Sequence, residues 1–241
     1  MSVDRFTAAD AQWAASACAQ HILSLLEKAL SEQNFATLAV SGGTTPRLLF
    51  DELGAAQFEW NRVHLFWVDE RCVPPTDDAS NYKLVNDHLI RPANIPPGQV
   101  HRIKGEIAPE PAAAAYAGDI LYFFGLALGE MPQFDIVHRG MGPDAHSASL
   151  FPGDPLIDDL DGITAATFAP QFNQWRVTLL PGVLLAAKHT VFLVAGKDKA
   201  KAVRAVFEEP YDPMKYPAQI TTHQGRGVTW FLDEKAAALM D

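Results

Sequence analysis

Short apolar runs alternate with longer segments of helical periodicity along most of the chain. Five apolar runs predict strands that are buried on both faces, at 35–40, 63–68, 134–138, 190–195 and 228–232. Apolar residues spaced by three or four predict helices over 7–33, 47–53, 109–128 and 199–208. Because strands alternate with helices, the pattern favours an α/β fold with a mainly parallel central sheet and helices on both faces.

The segments between these elements are shorter and more polar. Weaker patterns predict strands at 163–168 and 175–180, a short helix at 181–188 and a loop at 69–79. Thr7 with Asp10 resembles a capping box for the first helix. Ser80 and Asp233 are suited to start two further helices. No repeat or low-complexity linker interrupts the chain, so we expect a single domain over residues 1–241.

Composition narrows the classes of function. A formal charge of −10 argues against general nucleic-acid binding, which needs a basic surface. Two cysteines, Cys18 and Cys72, are too few for a disulfide framework. Residues 1–10 lack the apolar core of a signal peptide, and no apolar run is long enough to span a bilayer. We therefore expect a cytoplasmic protein that binds neither nucleic acid nor membrane.

The first candidate site is a glycine turn between a strand and a helix. The apolar run at 35–40 is followed by Ser41, Gly42, Gly43, Thr44 and Thr45. A proline that suits the first helical position comes next. Free N–H groups and the helix dipole at such a turn favour an anion, most often phosphate. No Gly-Lys-Ser/Thr follows, so this is not a Walker loop, and nucleotide hydrolysis is not the favoured function. The alternative is an ordinary turn in which the glycines and hydroxyls only cap the helix.

A second polar group follows the strand at 63–68. Asp69 could orient hydroxyls or transfer a proton, and Arg71 could bind an oxyanion. The alternative is a surface ion pair, which contributes little. In the next loop, Asp77, Asp78 and Asn81 are typical turn or cap residues.

The third group follows the strand at 134–138. Asp144 is suited to cap a helix that begins near Ala145, which would place His146 in its first turn. A helix N-terminus keeps an imidazole neutral, and a nearby carboxylate fixes its tautomer, so His146 is a candidate general base. The alternative is a polar histidine that serves only the cap.

Three other chemistries fit this turn poorly. The spacing Gly140-x-Gly142-x-x-Ala145 matches a dinucleotide fingerprint, but no strand ending in an acid follows about twenty residues later. Ser147 and Ser149 lack the Gly-x-Ser-x-Gly elbow of a serine nucleophile. The eight histidines show no metal-binding spacing, so we expect no metal and no cofactor.

Ligands of doubly wound sheets bind beyond the carboxyl ends of the strands, so the three loops 41–45, 69–80 and 140–149 should converge. Arg176 on a predicted strand and Lys199 after another are reasonable phosphate partners in so acidic a chain.

Taken together, the motifs resemble those of the 6-phosphogluconolactonase family, within the glucosamine-6-phosphate isomerase/deaminase superfamily. The resemblance is carried in order by Ser-Gly-Gly-Thr-Thr-Pro at 41–46, Asp-Glu-Arg-x-Val-Pro at 69–74, Ser-Asn-Tyr at 80–82 and Gly-Met-Gly-Pro-Asp-x-His-x-Ala-Ser-Leu-Phe-Pro-Gly at 140–153. Three further motifs extend the resemblance over nearly the whole chain: Arg-Val-Thr-Leu at 176–179, Gly-x-x-Lys at 196–199 and Trp-Phe-x-Asp at 230–233.

The resemblance implies a modified Rossmann-like, three-layer α/β sandwich and the hydrolysis of 6-phospho-D-glucono-1,5-lactone to 6-phosphogluconate, the second step of the oxidative pentose phosphate pathway. It implies that His146, held by Asp144, activates water while Asp69 and Arg71 face the sugar. The implied substrate-binding residues are Ser41, Gly42, Gly43, Thr44, Thr45, Asn81, Arg176 and Lys199. The expected partner is the small sugar-phosphate lactone, bound by a monomer or a homodimer.

The chain departs from the family pattern at two places. Ala145 stands where the family usually has glycine, and a positive φ there would strain an alanine. His138 and Arg139 stand where the family usually has apolar residues. Two rival functions stay open: a deaminase, although residues 148–153 lack the acid that follows the histidine in that group, and a sugar-phosphate-binding protein without catalysis.

Overall fold

The computed structural model describes residues 3–240, and a seven-stranded sheet forms its centre. The strands within the described residues are β1 (Asp4–Ala8), β2 (Ala36–Val40), β3 (Val63–Trp67), β4 (Asp69–Arg71), β5 (Val100–His101), β6 (Ile136–Arg139), β7 (Thr164–Ala169), β8 (Gln174–Leu179), β9 (His189–Val194) and β10 (Val228–Asp233). The central sheet has the order β1-β10-β9-β6-β2-β3-β5, with every pair parallel. The predicted mainly parallel sheet is therefore confirmed.

Helices cover both faces of this sheet, as the apolar strands require. They are α1 (Ala11–Glu32), α2 (Thr44–Ala55), α3 (Asn81–Val85), α4 (Pro109–Phe124), α5 (Pro181–Ala186), α6 (Ala200–Glu208), α7 (Gln219–Gln224) and α8 (Glu234–Ala237). Two buried apolar clusters result, one around β2 and β3 and a smaller one around Phe192 and Trp230, whose rings stack 4.0 Å apart. The Rossmann-like, three-layer arrangement is confirmed.

The beginning of the chain differs from the prediction. Residues 4–8 are not helical but form β1, an edge strand in which Thr7 lies opposite Leu232. The first helix starts after Asp10, whose side chain accepts the N–H of Trp13 at 2.9 Å, so Asp10 is itself the cap and the box with Thr7 was wrong. Four of the five β1 residues are exposed, and the segment therefore has no apolar run that could predict a strand.

A second, antiparallel sheet of order β4-β8-β7 stands beside the central one. The strands expected at 163–168 and 175–180 are present, but they belong to this sheet. The loop predicted at 69–79 was wrong at its start, because Asp69–Arg71 pairs with residues 176–178. Three polar residues carry no strand pattern, and their partner lies about a hundred residues away.

The two cap predictions at Ser80 and Asp233 are confirmed. Ser80 Oγ accepts the N–H of Lys83 at 3.1 Å, and Asp233 Oδ1 accepts the N–H of Ala236 at 2.7 Å. The helix predicted to reach residue 128 ends at Phe124, where Gly125 adopts a φ of 66°. The single domain over 1–241 stays a prediction, and its residues 1, 2 and 241 lie outside the described ones.

Candidate active site

A cavity of about 850 Å³ opens beyond the carboxyl ends of β2, β6 and β9. Its walls include residues of all three loops that were expected to converge, at 41–46, 69–81 and 140–148. Two further segments, 172–176 and 193–199, complete the lining. Every predicted site residue except Asp144 lines this cavity, and Asp144 contacts His146, which does.

The glycine turn presents unused donors to the cavity. Helix α2 begins at Thr44 after Gly43, whose φ is 125°, so Pro46 occupies the third helical position and the expectation of the first was wrong. A Cβ on Gly42 would overlap the side chain of Asn81. Ser41 Oγ is buried and has no hydrogen-bond partner in the protein. A hydroxyl and a helix N-terminus are thus both free for an anion.

Asp69 is the first residue of β4 and joins several site residues. Its Oδ2 accepts the hydroxyl of Ser149 at 2.7 Å and lies 3.8 Å from Arg176 Nη1. Its backbone oxygen accepts Asn81 Nδ2 at 2.8 Å, while the buried Oδ1 of Asn81 is unpaired. Burial lowers the pKa of Arg176, and the charge of Asp69 partly offsets this effect. Arg176 is 7% exposed and its Nε has no hydrogen-bond partner, so the guanidinium has a donor left for a ligand anion.

Glu70 is a residue of this region that sequence reasoning did not assign. Its Oε1 accepts the N–H groups of Arg71 and Asn81, both at 2.7 Å. Its Oε2 accepts the N–H of Tyr82 at 2.7 Å and the hydroxyl of Ser80 at 3.0 Å. Burial raises the pKa of Glu70, and these four hydrogen bonds counteract the increase. A carboxylate followed ten residues later by Ser-Asn-Tyr at a helix start is the signal that could have indicated this role.

The histidine lies in a turn and not in a helix. No helix begins near Ala145, so the expected effect of a helix dipole on His146 was wrong. Instead, His146 Nδ1 lies 2.5 Å from Asp144 Oδ1, which also accepts the N–H of His146 at 3.2 Å. Burial opposes ionisation of Asp144, but its bonds to His146 prevail and lower the pKa of the carboxyl.

An ionised carboxylate only accepts hydrogen bonds, so Nδ1 of His146 carries the proton and Nε2 of the neutral ring is the basic nitrogen. The ring packs against Phe151, with centroids 4.6 Å apart. On its other side the backbone of Gly142 approaches closely, because a Cβ there would overlap the imidazole. The ring is therefore fixed in position, and its side chain is 18% exposed.

Both departures from the family pattern are visible in the structure. Ala145 has a φ of 65° and is fully buried. This is a backbone conformation that favours glycine, the residue of the family pattern. His138 and Arg139 are buried on opposite faces of β6, where His138 meets Phe50 and Arg139 donates to Thr221 Oγ1 at 2.5 Å. Burial lowers the pKa of Arg139 to about 9, while Asp69 opposes the shift. Neither side chain lines the cavity.

Lys199 reaches the cavity from a turn after β9. The turn at Lys197–Lys199 follows Gly196, and Lys199 Nζ lies 3.2 Å from Asp198 Oδ2.

Within residues 3–240 there is no group of three or more His, Cys, Asp or Glu side chains that could hold a metal ion. In the same part of the chain, every helix is too short or too polar to cross a membrane.

Fold and site together define a Rossmann-like α/β protein with a polar cavity at the strand ends. One wall of this cavity carries His146, which is paired with the carboxylate of Asp144. The model of the family described as glucosamine-6-phosphate isomerases/6-phosphogluconolactonase matches residues 9–230. The chain therefore belongs to this family, and the resemblance seen in its motifs is confirmed.

Individual relatives agree with this assignment. A 6-phosphogluconolactonase of Synechocystis sp. is 33% identical over 216 residues, which are 89% of each chain. Another from Treponema pallidum is 37% identical over 201 residues, 82% of this chain and 83% of its own. The crystal structure of 6-phosphogluconolactonase from Thermotoga maritima matches with a TM-score of 0.83 at 29% identity, covering 96% of this chain and 100% of its own.

Proposed function

We propose that this protein hydrolyses 6-phospho-D-glucono-1,5-lactone to 6-phosphogluconate. The observation that carries the proposal is the Asp144–His146 pair, whose basic nitrogen belongs to the same cavity as the unpaired donors of Ser41 and Arg176. An anion-binding region and a general base in one cavity match a phosphorylated, hydrolysable substrate. The names of the relatives support the same substrate.

The phosphate of the substrate would bind at the glycine turn. The helix N-terminus at Thr44, the hydroxyl of Ser41 and the cations Arg176 and Lys199 supply donors there. Asn81, whose Oδ1 is unpaired, would accept a sugar hydroxyl. These contacts lie away from the reacting carbonyl, so they orient the lactone before the reaction starts.

In the reaction, His146 Nε2 would take a proton from water as the water oxygen bonds to C1 of the lactone. The carbonyl oxygen becomes an oxyanion, which Arg71 on the cavity wall would stabilise. The bond between C1 and the ring oxygen then breaks, and protonated His146 returns its proton to that oxygen. The acid product loses a proton to solvent. Asp144 would hold the imidazolium throughout, because its carboxylate already accepts from Nδ1.

The test is a coupled assay in which glucose-6-phosphate dehydrogenase generates the lactone in place. We expect this protein to accelerate lactone conversion above the spontaneous rate. The variant His146→Ala should lose roughly 10²–10⁴-fold in kcat and still bind 6-phosphogluconate, because a positioned base contributes about that much. His88→Ala is the matched control, since His88 pairs with Asp51 on α2 and lies outside the cavity wall.

Each outcome has a clear consequence. No acceleration by folded wild-type protein that binds 6-phosphogluconate would favour a binding protein without catalysis. Full activity of His146→Ala would remove this residue from the mechanism. Glucosamine 6-phosphate serves as a control substrate, and we expect no deamination because residues 148–153 contain no carboxylate. The cytoplasmic location, the monomer or homodimer and the lack of a metal, a cofactor and nucleic acid stay predictions.

A further inference from the structure

An exposed phenylalanine stands at the rim of the cavity, on the turn that joins β7 and β8. Ala169 and Gln174 form the last pair of this hairpin, and the N–H of Asn173 bonds to the oxygen of Pro170 at 3.1 Å. Asn173 adopts a φ of 47°, which closes the turn tightly. The turn places Phe172 in the cavity wall with 53% of its surface exposed.

The ring of Phe172 lies beside Arg176 in the cavity wall and beside Phe151, which packs against His146. On one side, Arg176 Cζ lies 5.1 Å from the ring centroid, within range of a cation–π interaction. On another side, the centroid of Phe151 is 6.1 Å away. Phe151 is buried and packs against His146 at 4.6 Å. One side chain thus borders the candidate phosphate ligand and the ring that supports the candidate base.

We propose that Phe172 is a positioning and specificity residue for phosphorylated lactones, an inference that rests on the proposed function. Its ring holds the Arg176 guanidinium, whose Nε has no hydrogen bond in the protein, in the orientation that accepts the phosphate. The exposed half of the ring would be covered by bound sugar phosphate, which removes water from the ion pair and strengthens it.

A consequence concerns the choice between substrates. An unphosphorylated lactone makes no ion pair with Arg176, so the ring cannot strengthen its binding in this way. Phe172 should therefore contribute more to the reaction of 6-phosphogluconolactone than to that of glucono-1,5-lactone. The contact of Phe172 with Phe151 passes part of this effect to His146, since remote binding energy that orients the substrate also affects kcat.

The experiment compares Phe172→Leu and Phe172→Ala with the wild-type chain. We expect kcat/KM for the phosphorylated lactone to fall roughly 3- to 30-fold, mainly through KM, as loss of a cation–π contact implies. The dissociation constant of 6-phosphogluconate, measured by calorimetry, should rise by a similar factor. The rate with unphosphorylated glucono-1,5-lactone should change less than threefold, roughly the lower limit for such a contact. Phe172→Tyr keeps the aromatic face and should restore wild-type values.

Phe168→Ala is the matched control, because Phe168 is an exposed aromatic residue on the same hairpin but outside the cavity wall. It should leave KM and product affinity unchanged. Wild-type constants in Phe172→Leu, or an equal loss with both lactones, would overturn the inference. If the wild-type chain binds 6-phosphogluconate without turnover, the proposed function fails. The product affinities of the same variants then decide separately whether Phe172 supports anion binding.

Discussion

At the scale of single residues, Ala145 has a strained backbone, as does Ala148 nearby with a φ of 57°. The φ of 65° at Ala145 belongs to the left-handed region, which costs an alanine roughly 1–2 kcal/mol. Its carbonyl accepts the N–H of Ala218 at 3.0 Å, and its own N–H bonds to Gly142 at 3.1 Å. These bonds hold the strained residue in place beside the Asp144–His146 pair.

Ala145→Gly should therefore change the stability little. Removing the backbone strain gains about 1 kcal/mol, and losing one buried methyl group costs about as much. We expect the free energy of unfolding to stay within about 1 kcal/mol of the wild-type value, because the two effects nearly cancel. The lactonase rate should stay within about threefold of the wild-type rate, because the turn keeps its conformation. Urea unfolding and the coupled assay measure both.

Ala145→Val is the opposing variant. A β-branched residue at this φ is a true outlier and has no space in the buried site, so stability should fall by more than about 2 kcal/mol. For the Ala145→Gly variant, a lactonase rate about tenfold above that of the wild type would instead show that the alanine displaces His146.

His138 is a second residue whose surroundings are unusual. It is fully buried, and both of its ring nitrogens lack a hydrogen-bond partner in the protein. Burial lowers its pKa to about 3, so the unfolded chain takes up the proton first as the pH falls. Titration of His138 therefore leaves the free energy of unfolding unchanged above about pH 6.5. From there toward pH 3 it lowers the free energy of unfolding, by up to about 1.4 kcal/mol per pH unit.

His138→Leu should remove this loss and raise the stability at neutral pH by about 1–3 kcal/mol, since leucine leaves no polar atom unpaired. Urea unfolding between pH 4 and pH 7 would reveal both effects as a higher midpoint and a shallower pH dependence. An unchanged pH dependence would mean that His138 keeps its proton affinity in the folded chain.

At the scale of elements, the connection between β4 and α3 decides where several site residues lie. Glu70 accepts four hydrogen bonds from the first turn of α3 and its surroundings, including those of Ser80 and Asn81. A negatively charged carboxylate at a helix start also interacts favourably with the helix dipole. Asn81 and Arg71 thus owe their places to a residue that does not line the cavity.

Glu70→Gln should destabilise the protein by about 2–4 kcal/mol, because an amide NH₂ would face N–H donors that need an acceptor. It should also lower kcat/KM, since Asn81 and Arg71 lose the group that positions them. Glu59→Gln is the control, because the exposed side chain of Glu59 pairs with Arg62 at the surface and should change stability by less than about 0.5 kcal/mol. Wild-type urea midpoints and kinetics for Glu70→Gln would contradict this role.

At the scale of the whole molecule, the cavity joins the two sheets. The central sheet supplies the glycine turn after β2 and the histidine turn after β6, and the small sheet supplies Asp69, Arg71 and Arg176. The sheets are also joined through Val68, which lies between β3 and β4. Its N–H donates to the oxygen of Val40 in the central sheet at 2.9 Å, and its oxygen accepts the N–H of Leu179 in the small sheet at 2.8 Å. A ligand that fills the cavity would therefore contact residues of both sheets.

We expect 6-phosphogluconate to stabilise the whole chain, by about 2.7 kcal/mol at a hundred times its dissociation constant. Thermal unfolding followed by circular dichroism and by tryptophan fluorescence should shift together, because Trp175 lies in the small sheet and Trp230 in the central one. Arg176→Ala should reduce the shift, whereas Arg204→Ala, on the exposed face of α6, should not. Separate transitions for the two signals would mean that the chain does not unfold in a single step.

The sequence by itself determined the central architecture and most of the candidate site. Apolar runs such as 190–195 identify strands because a strand covered on both faces must be apolar throughout. The rule that ligands bind at strand ends then correctly brought Ser41, Asp69 and His146 to one cavity. These features follow from local pattern and general topology, which a single chain displays.

The tertiary structure alone decided features that depend on distant partners. The polar strand β4 exists because β8 pairs with it, and the exposed strand β1 exists because β10 does. Likewise, Asp144 and not a helix dipole fixes His146, and Glu70 holds Asn81 through bonds formed only on folding. A residue pattern records what is buried, whereas hydrogen bonds across the chain are set by which segments meet.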